Sequence, residues 1–191
     1  AARETREKYD PQQTNERLRQ ILNDRFGEQY TRGAEAAARV LEGRVHWQRI
    51  DGMTRYADAM RRVSELHGQA TFDDSTIREA VLASRDEGIK TLQQARDMLD
   101  GLARAGGATA WVSQSALATT LYLLARVDEP NRVELEYAAA AAAVAAVGAG
   151  ERSPYLADQV VFRDYLVRRT GYTPPTDNTM QTPAEPGAEP R

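Results

Sequence analysis

The 191-residue sequence contains no cysteine, only two histidines, and only two lysines among its 25 basic residues. The lack of cysteine excludes disulfides, thiolate nucleophiles and cysteine-ligated metal sites. Aromatic residues make up 7% of the chain, and alanine supplies much of its 41% hydrophobic fraction. Bulky apolar side chains are therefore few, and a helical bundle is the architecture that uses few of them best.

Strong net charge and long apolar runs are also missing. The formal net charge of −3 creates no overall field that would attract nucleic acid or an anionic membrane. No stretch reaches the roughly 18 to 20 strongly apolar residues of a membrane span. The chain begins Ala1-Ala2, for which we expect removal of an initiator Met rather than of a signal or pro-segment. We expect a cytoplasmic or virion location, and the sequence is also compatible with secretion or a periplasmic location.

What the sequence does contain is apolar residues that recur every three or four positions, which predicts helices. Their boundaries predict an all-α bundle of about five to six helices. A polar arm at 1–10 should precede a single helical domain at 11–172, and an extended Pro-rich tail should occupy 173–191. No alternating strand pattern and no repeat of roughly 20 to 50 residues competes with this interpretation.

The segment from Gly33 to His67 carries the longest apolar pattern. A first stripe contains Ala37, Leu41 and Val45, and a second runs from Ile50 to Leu66. Gly43 and Gly52 interrupt the pattern, so the segment is either two helices with a break near Asp51-Gly52 or one bent helix. A helix-turn-helix around Gly88, within 76–99, is a weaker alternative to one continuous helix there.

Capping residues mark several helix ends. Thr76 and Glu79 have the spacing of a capping box, and Asn131 precedes an Ala-rich helix with Glu134 three residues on. Ser153-Pro154 should begin the last helix, and glycines at 106–107, 148, 150 and 171 should end helices.

The Ala-rich run at 137–150 is the stretch around which we expect the domain to pack. Ala has the highest helix propensity, and a helix with such small side chains can approach its neighbours closely. Apolar stripes before and after it should supply the bulk that fills the core. The same run suits contacts between subunits, and the tail suits draping over a neighbour. The predicted interaction residues are Ala139, Ala142, Ala143, Ala146, Tyr172, Pro174 and Pro175.

Residues that could support catalysis or metal binding have simpler structural explanations. Glu42 lies one helical turn before His46, but an ion pair or a packed histidine explains the pair. Ser113 and Ser115 have no histidine nearby in sequence, and the segment 101–107 lacks the strand that should precede a phosphate-binding loop. Neither the acidic residues at 73–100 nor His67 fits a known metal-ligand spacing. We expect no catalytic residue, no metal and no cofactor.

The sequence therefore favours a non-enzymatic structural or assembly subunit with protein partners, in a homo- or hetero-oligomer. A virion connector or neck-type component is one assembly that an all-helical body with extended arms would fit.

Two alternatives remain at this point. Seven arginines against four acidic residues between Arg32 and Arg62, with Trp47 and Tyr56 among them, could form a face that binds nucleic acid. A helical enzyme or small-molecule-binding protein would instead place a pocket between the fourth helix and the Ala-rich helix, near Trp111 and Tyr122.

Overall fold

The computed structural model describes residues 11–68, 72–106, 110–150 and 157–174. These residues form six α-helices and no strand, which confirms the predicted all-α fold. The helices are α1 (Pro11–Phe26), α2 (Glu28–Leu66), α3 (Ser75–Ala105), α4 (Ala110–Val127), α5 (Arg132–Ala149) and α6 (Ala157–Thr170). The predicted arm at 1–10 and the tail from Pro175 onward lie outside the described residues.

Each helix packs mainly against its neighbours in the chain, because short connections reverse the chain direction after every helix. α2 and α3 form a long hairpin, α4 packs on both of its helices, α5 packs on α4, and α6 packs on α5. α1 packs back along α2. The arrangement is an up-and-down bundle in which the two longest helices, of 39 and 31 residues, form one side.

Two clusters of apolar side chains hold the bundle together. In the first, Leu166 of α6 is fully buried against the alanines of α5 and against Leu121 of α4. In the second, Leu92 of α3 and Leu124 of α4 are buried, and Trp47 of α2 packs against them. The part of the hairpin after Ile50 and before Gly88 belongs to neither cluster.

Two glycines let the hairpin helices and α4 approach closely. A Cβ atom on Gly43 of α2 would overlap the side chain of Leu92. A Cβ on Gly88 of α3 would lie 3.1 Å from His46 Cβ and 3.8 Å from a methyl carbon of Val127. These glycines are therefore packing positions inside continuous helices, and the helix-turn-helix alternative around Gly88 is wrong.

Several predicted helix boundaries need correction. α2 runs without interruption through Gly52 and begins at Glu28, so there are not two helices with a break near Asp51. α3 begins at Ser75, and Asp73 Oδ1 accepts the Ser75 N–H at 3.0 Å, so the Thr76 capping box does not form. Asn131 precedes α5 as predicted, but its side chain bonds Asp128 instead of capping the helix.

The other predicted ends fall into three groups. α3 ends before Gly106 and α6 ends before Gly171, both with a positive φ that glycine adopts easily. Gly148 lies inside α5, which ends one residue later at Ala149. Ser153-Pro154, the predicted start of α6, lies outside the described residues.

Ion pairs join helices at two places. Glu136 of α5 accepts hydrogen bonds at 2.9 Å from Arg169 of α6 and at 3.2 Å from Arg132, and its side chain is 10% exposed. The bonds from Arg169 are the main reason that the pKa of Glu136 lies below its ordinary value. At the far end of the hairpin, Asp74 pairs with Arg61 of α2 and with Arg78, and the bond from Arg61 lowers the pKa of that carboxyl.

Candidate interaction surface

Helix α2 carries apolar or small side chains on two opposite faces. The inner face packs on α3 and α4 through residues that include Ala36, Val40, Gly43 and Trp47. We name the opposite face the outer stripe. Its residues follow one another at intervals of three or four positions, and each of them is exposed. Its nine members are Ala38, Leu41, Val45, Gln48, Gly52, Tyr56, Ala59, Val63 and Leu66, of which all but Gln48 are apolar or small.

The exposure of the outer stripe is large for apolar residues. Leu41 is 62% exposed, Val45 61%, Tyr56 55%, Val63 44% and Leu66 85%. A repeat of small and apolar residues at three- and four-residue spacing is the pattern of a helix that packs along another helix. Scattered apolar residues on a surface need no explanation, but a continuous line of them over most of a long helix indicates an interface.

This result corrects the sequence-based assignment of the first apolar stripe. Leu41 and Val45 were expected to fill the core, but the structure turns them outward and buries Ala36 and Gly43 instead. The physical reason is that α3 crosses α2 so closely at Gly43 that only small side chains fit there. A larger apolar residue signals burial in a sequence only when the helix partner leaves room for it.

The two ends of the outer stripe have different surroundings. Near Ala38, helix α1 borders the stripe, and the two helices enclose a cleft of about 510 Å³ whose lining includes Leu18, Ala34 and Ala38. Arg19 of α1 pairs there with Glu35 at 2.9 Å. Just beyond the middle of the stripe, Tyr56 packs edge-on against Phe72 with ring centroids 6.4 Å apart, and at the opposite end Leu66 stands almost fully exposed.

The predicted alanine contacts lie inside the chain. Ala139, Ala143 and Ala146 are at most 3% exposed, and Ala142 is partly buried against the first cluster. Ala139 and Ala143 share that cluster with Leu121 and Leu166, so packing within one subunit accounts for their small size. Their contact with another subunit stays a prediction.

The residue that precedes the predicted tail is anchored to the bundle. Tyr172 is partly buried, and its ring packs against Tyr137 of α5 with centroids 5.0 Å apart. The Tyr172 N–H also donates to Thr170 Oγ1 at 3.2 Å. Pro174 is exposed, and Pro175 lies outside the described residues.

The arginines of the predicted nucleic-acid face are partly neutralised. Arg32 pairs with Glu28, Arg55 with Asp51, and Arg61 with both Asp58 and Asp74. Trp47, which a nucleic-acid interface would need for stacking, packs into the second core cluster. Arg44, Arg49 and Arg62 have no acidic partner among the residues that the structure describes.

The pocket expected near Trp111 and Tyr122 is filled at its Tyr122 end. The Tyr122 ring packs edge-on against Phe162 and Tyr165, and its hydroxyl lies 3.2 Å from that of Tyr165. A cavity of about 520 Å³ lies elsewhere, between the first turns of α2 and α4 and the end of α3. Its lining includes Ala37, Leu99, Leu102, Val112 and Ser113.

The remaining candidates of the sequence analysis form no cluster. His46 is partly buried with Nδ1 unpaired, whereas Glu42 is exposed, and His67 is exposed at the end of α2. Across the described segments, no group of three or more His, Cys, Asp or Glu side chains is placed to hold a metal ion. No helix among them is long and apolar enough to cross a membrane.

No protein-family model, curated protein or solved structure matches the chain. The functional conclusion below rests on the outer stripe of α2, whose large apolar side chains are exposed.

Proposed function

We propose that the chain is a non-enzymatic structural subunit of a multi-subunit assembly and that it acts through its surface. The outer stripe of α2 carries this proposal. Five large apolar side chains along one helix face remain 44% to 85% exposed. Each square ångström of apolar surface removed from water contributes about 25 cal/mol, so a partner that covered them would be bound favourably.

The way the chain uses its charged side chains supports the same conclusion. The carboxyls with lowered pKa values include Asp74 and Glu136, and each of these two is bound by arginines from two helices. Such ion pairs fix helices relative to one another. The pair between Glu136 and Arg169 reinforces the contact of α5 with α6, which the first core cluster also holds, and so favours a structural body there.

The tail supplies a second proposed contact. Tyr172 holds the chain against α5 just before the tail begins, and Pro174 is exposed. The segment 173–191 contains five prolines, and Met180 is its one large apolar side chain, so it has little with which to build a core of its own. We propose that Pro174, Pro175 and the residues after them lie on a neighbouring subunit.

Particle mass in solution, measured by light scattering or native mass spectrometry, tests the role of the tail. The full chain should form a particle of defined mass above the 21.2 kDa of one subunit. Deletion of 173–191 should lower that mass without changing helicity or melting temperature at a concentration where the subunits are separate. A large loss of subunit stability would instead show that the tail packs on its own domain.

A charge placed on the outer stripe tests the role of α2. Leu41→Glu should reduce the particle mass, because each subunit contact would then have to bury a carboxylate. Val133→Glu on α5 is the matched control, since Val133 is also exposed, at 82%, but lies outside the stripe. A mass of one subunit for the unmodified chain at high concentration would contradict self-assembly.

A further inference from the structure

The outer stripe is symmetric about Gly52. Leu41 and Val63 each lie 11 residues from it, one before and one after, and Val45 and Ala59 each lie seven residues from it. The same holds for Ala38 with Leu66, at 14 residues, and for Gln48 with Tyr56, at four residues. The contact positions therefore have the same spacing on both sides of Gly52. A helix with this symmetry can pair with a copy that runs in the opposite direction.

Helix geometry places these residues on one line. With about 100° of rotation per residue, all nine stripe positions fall within about 40° of the direction in which Gly52 points. Because the inner face of α2 lies about 180° away, α3 and α4 of each copy remain clear of the contact. A two-fold axis beside Gly52 and perpendicular to the helix would then align the stripe of one copy with that of the other.

We propose that the partner of the outer stripe is a second copy of this chain, paired antiparallel along α2 with the two-fold axis at Gly52. This inference rests on the proposed assembly function and names its partner. The pairing is isologous, because the two-fold axis makes every contact between two different stripe residues occur twice.

The sizes of the facing side chains support the antiparallel direction. Ala38 would face Leu66 of the second copy, Leu41 would face Val63, and Val45 would face Ala59. Each of these facing pairs combines a small with a large side chain or two side chains of intermediate size, as in well-packed helix interfaces. A parallel pair in register would instead place Ala against Ala at 38 and 59 and leave gaps beside layers of Leu against Leu.

Gly52 suits the position on the axis. A Cβ atom on Gly52 would meet nothing within 4 Å, so the packing of its own subunit does not explain a glycine there. Glycine in a helix interior costs roughly 0.5 to 1 kcal/mol relative to alanine. At the crossing of two helices, its small size allows the backbones to approach closely.

The charges beside Gly52 are complementary under this pairing. Asp51 and Arg55 pair within one chain at 3.0 Å and remain 43% and 79% exposed. They flank the stripe on the same side, and the two-fold axis brings Arg55 of each copy to the level of Asp51 in the other. Two carboxylates and two guanidinium groups would then alternate at the centre of the contact.

The end of the stripe near Ala38 in one copy can contact the end near Leu66 in the other copy. Leu66 is 85% exposed, and in the antiparallel pair it reaches Ala38 of the second copy. Ala38 lines the cleft of about 510 Å³ between α1 and α2, together with Leu18 and Ala34. The Leu66 side chain would enter this cleft at both ends of the dimer and bury its apolar surface there.

One charge arrangement opposes the pairing and makes it testable. Arg44 of one copy and Arg62 of the other flank the stripe on the same side and at nearly the same level, and neither has an acidic partner among the described residues. Arg62→Glu should therefore tighten the dimer, on the order of tenfold for two pairs that change from repulsion to attraction. Arg44→Glu combined with Arg62→Glu should return affinity close to that of the unmodified chain. A parallel pair offers Arg62 no such basic neighbour, so an unchanged or weaker dimer for Arg62→Glu would overturn the antiparallel register.

Cross-linking gives a direct test, because the chain has no cysteine of its own. Val45→Cys and Ala59→Cys should not cross-link as single variants, since equal positions in an antiparallel pair would be about 21 Å apart. A mixture of the two variants should give a covalent dimer with a short bis-maleimide reagent. Val133→Cys is the exposed control and should not cross-link with either.

The outcomes separate the dimer from the general assembly function. A covalent dimer formed by the Val45→Cys variant alone would show a parallel pair and overturn the proposal. A particle larger than one subunit that gives no cross-link in the mixture would overturn pairing through this stripe and leave the assembly function intact. A mass of one subunit throughout, with no cross-link, would overturn both the dimer and self-assembly through the tail.

Discussion

Helices α5 and α2 both carry lines of small and apolar side chains. The rest of the chain buries the line on α5 and leaves the outer stripe of α2 exposed to solvent. Ala139 and Ala143 of α5 are buried between α4 and α6, within the cluster that Leu166 completes. Leu41 and Val45 of α2 face away from every described helix that packs on the inner face. Small side chains therefore mark close contact within the subunit, and larger ones on the opposite face of α2 mark the surface left for a partner.

The largest effect expected from this difference is at Leu166. Leu166→Ala removes a fully buried side chain next to the alanines of α5, and nearby small residues have little volume with which to fill the cavity. We expect a loss of about 2 to 5 kcal/mol in the free energy of unfolding, measured with urea. Val161→Ala on the same helix, where the side chain is 68% exposed, should change it by no more than about 0.5 kcal/mol.

A smaller effect should distinguish packing within a subunit from packing between subunits at α5. Ala143→Leu adds volume at a position that is 3% exposed, and we expect it to lower the free energy of unfolding by about 1 to 3 kcal/mol. Ala145→Leu is the control on the exposed side of α5 and should be nearly neutral. If Ala143→Leu leaves subunit stability unchanged but reduces particle mass, α5 contacts another subunit as well.

The smallest effect concerns the ion pair that ties α5 to α6, and it depends on pH. The folded-state pKa of Glu136 lies below its ordinary value of 4.5, so its stabilising contribution is complete above that value. This stabilising contribution is lost as the pH falls through the folded-state pKa of Glu136. Glu136→Gln should therefore cost about 1 kcal/mol at pH 7 and less in acid. Glu134→Gln, at an exposed position of the same helix, is the control and should change the melting temperature little.

Periodicity was sufficient to predict an all-α bundle of about five to six helices, because each buried face repeats at the spacing of a helix. It predicted the ends of α3 and α6 well, since Gly106 and Gly171 adopt conformations with positive φ that end a helix. It was wrong at the start of α3, where Asp73 competes with Thr76 for the role of cap. Asp73 and Thr76 are both residue types that cap helices, so a sequence does not distinguish them, and only the chain path decides which one bonds a free N–H.

The choice between the two faces of α2 could not be made from sequence. Ala36, Gly43 and Leu41 are all compatible with a buried stripe, and their order of size favours Leu41 as the core residue. The helices cross so closely at Gly43 and Gly88 that the small residues are buried there and Leu41 is exposed. Such a crossing depends on residues 45 positions apart in the chain, which local periodicity does not register.

The part of the hairpin that lies beyond both core clusters has a consequence for how the subunit opens and closes. Between Asp51 and Glu87 it relies on the Asp74 ion pairs and on contacts such as Tyr56 with Phe72, with Ala57 and Ser84 among its few buried side chains. Regions with few buried apolar contacts open locally at a lower free energy than the rest of a protein. A partner on the outer stripe would hold this region closed, so that binding at the surface and local order in α2 would be thermodynamically linked.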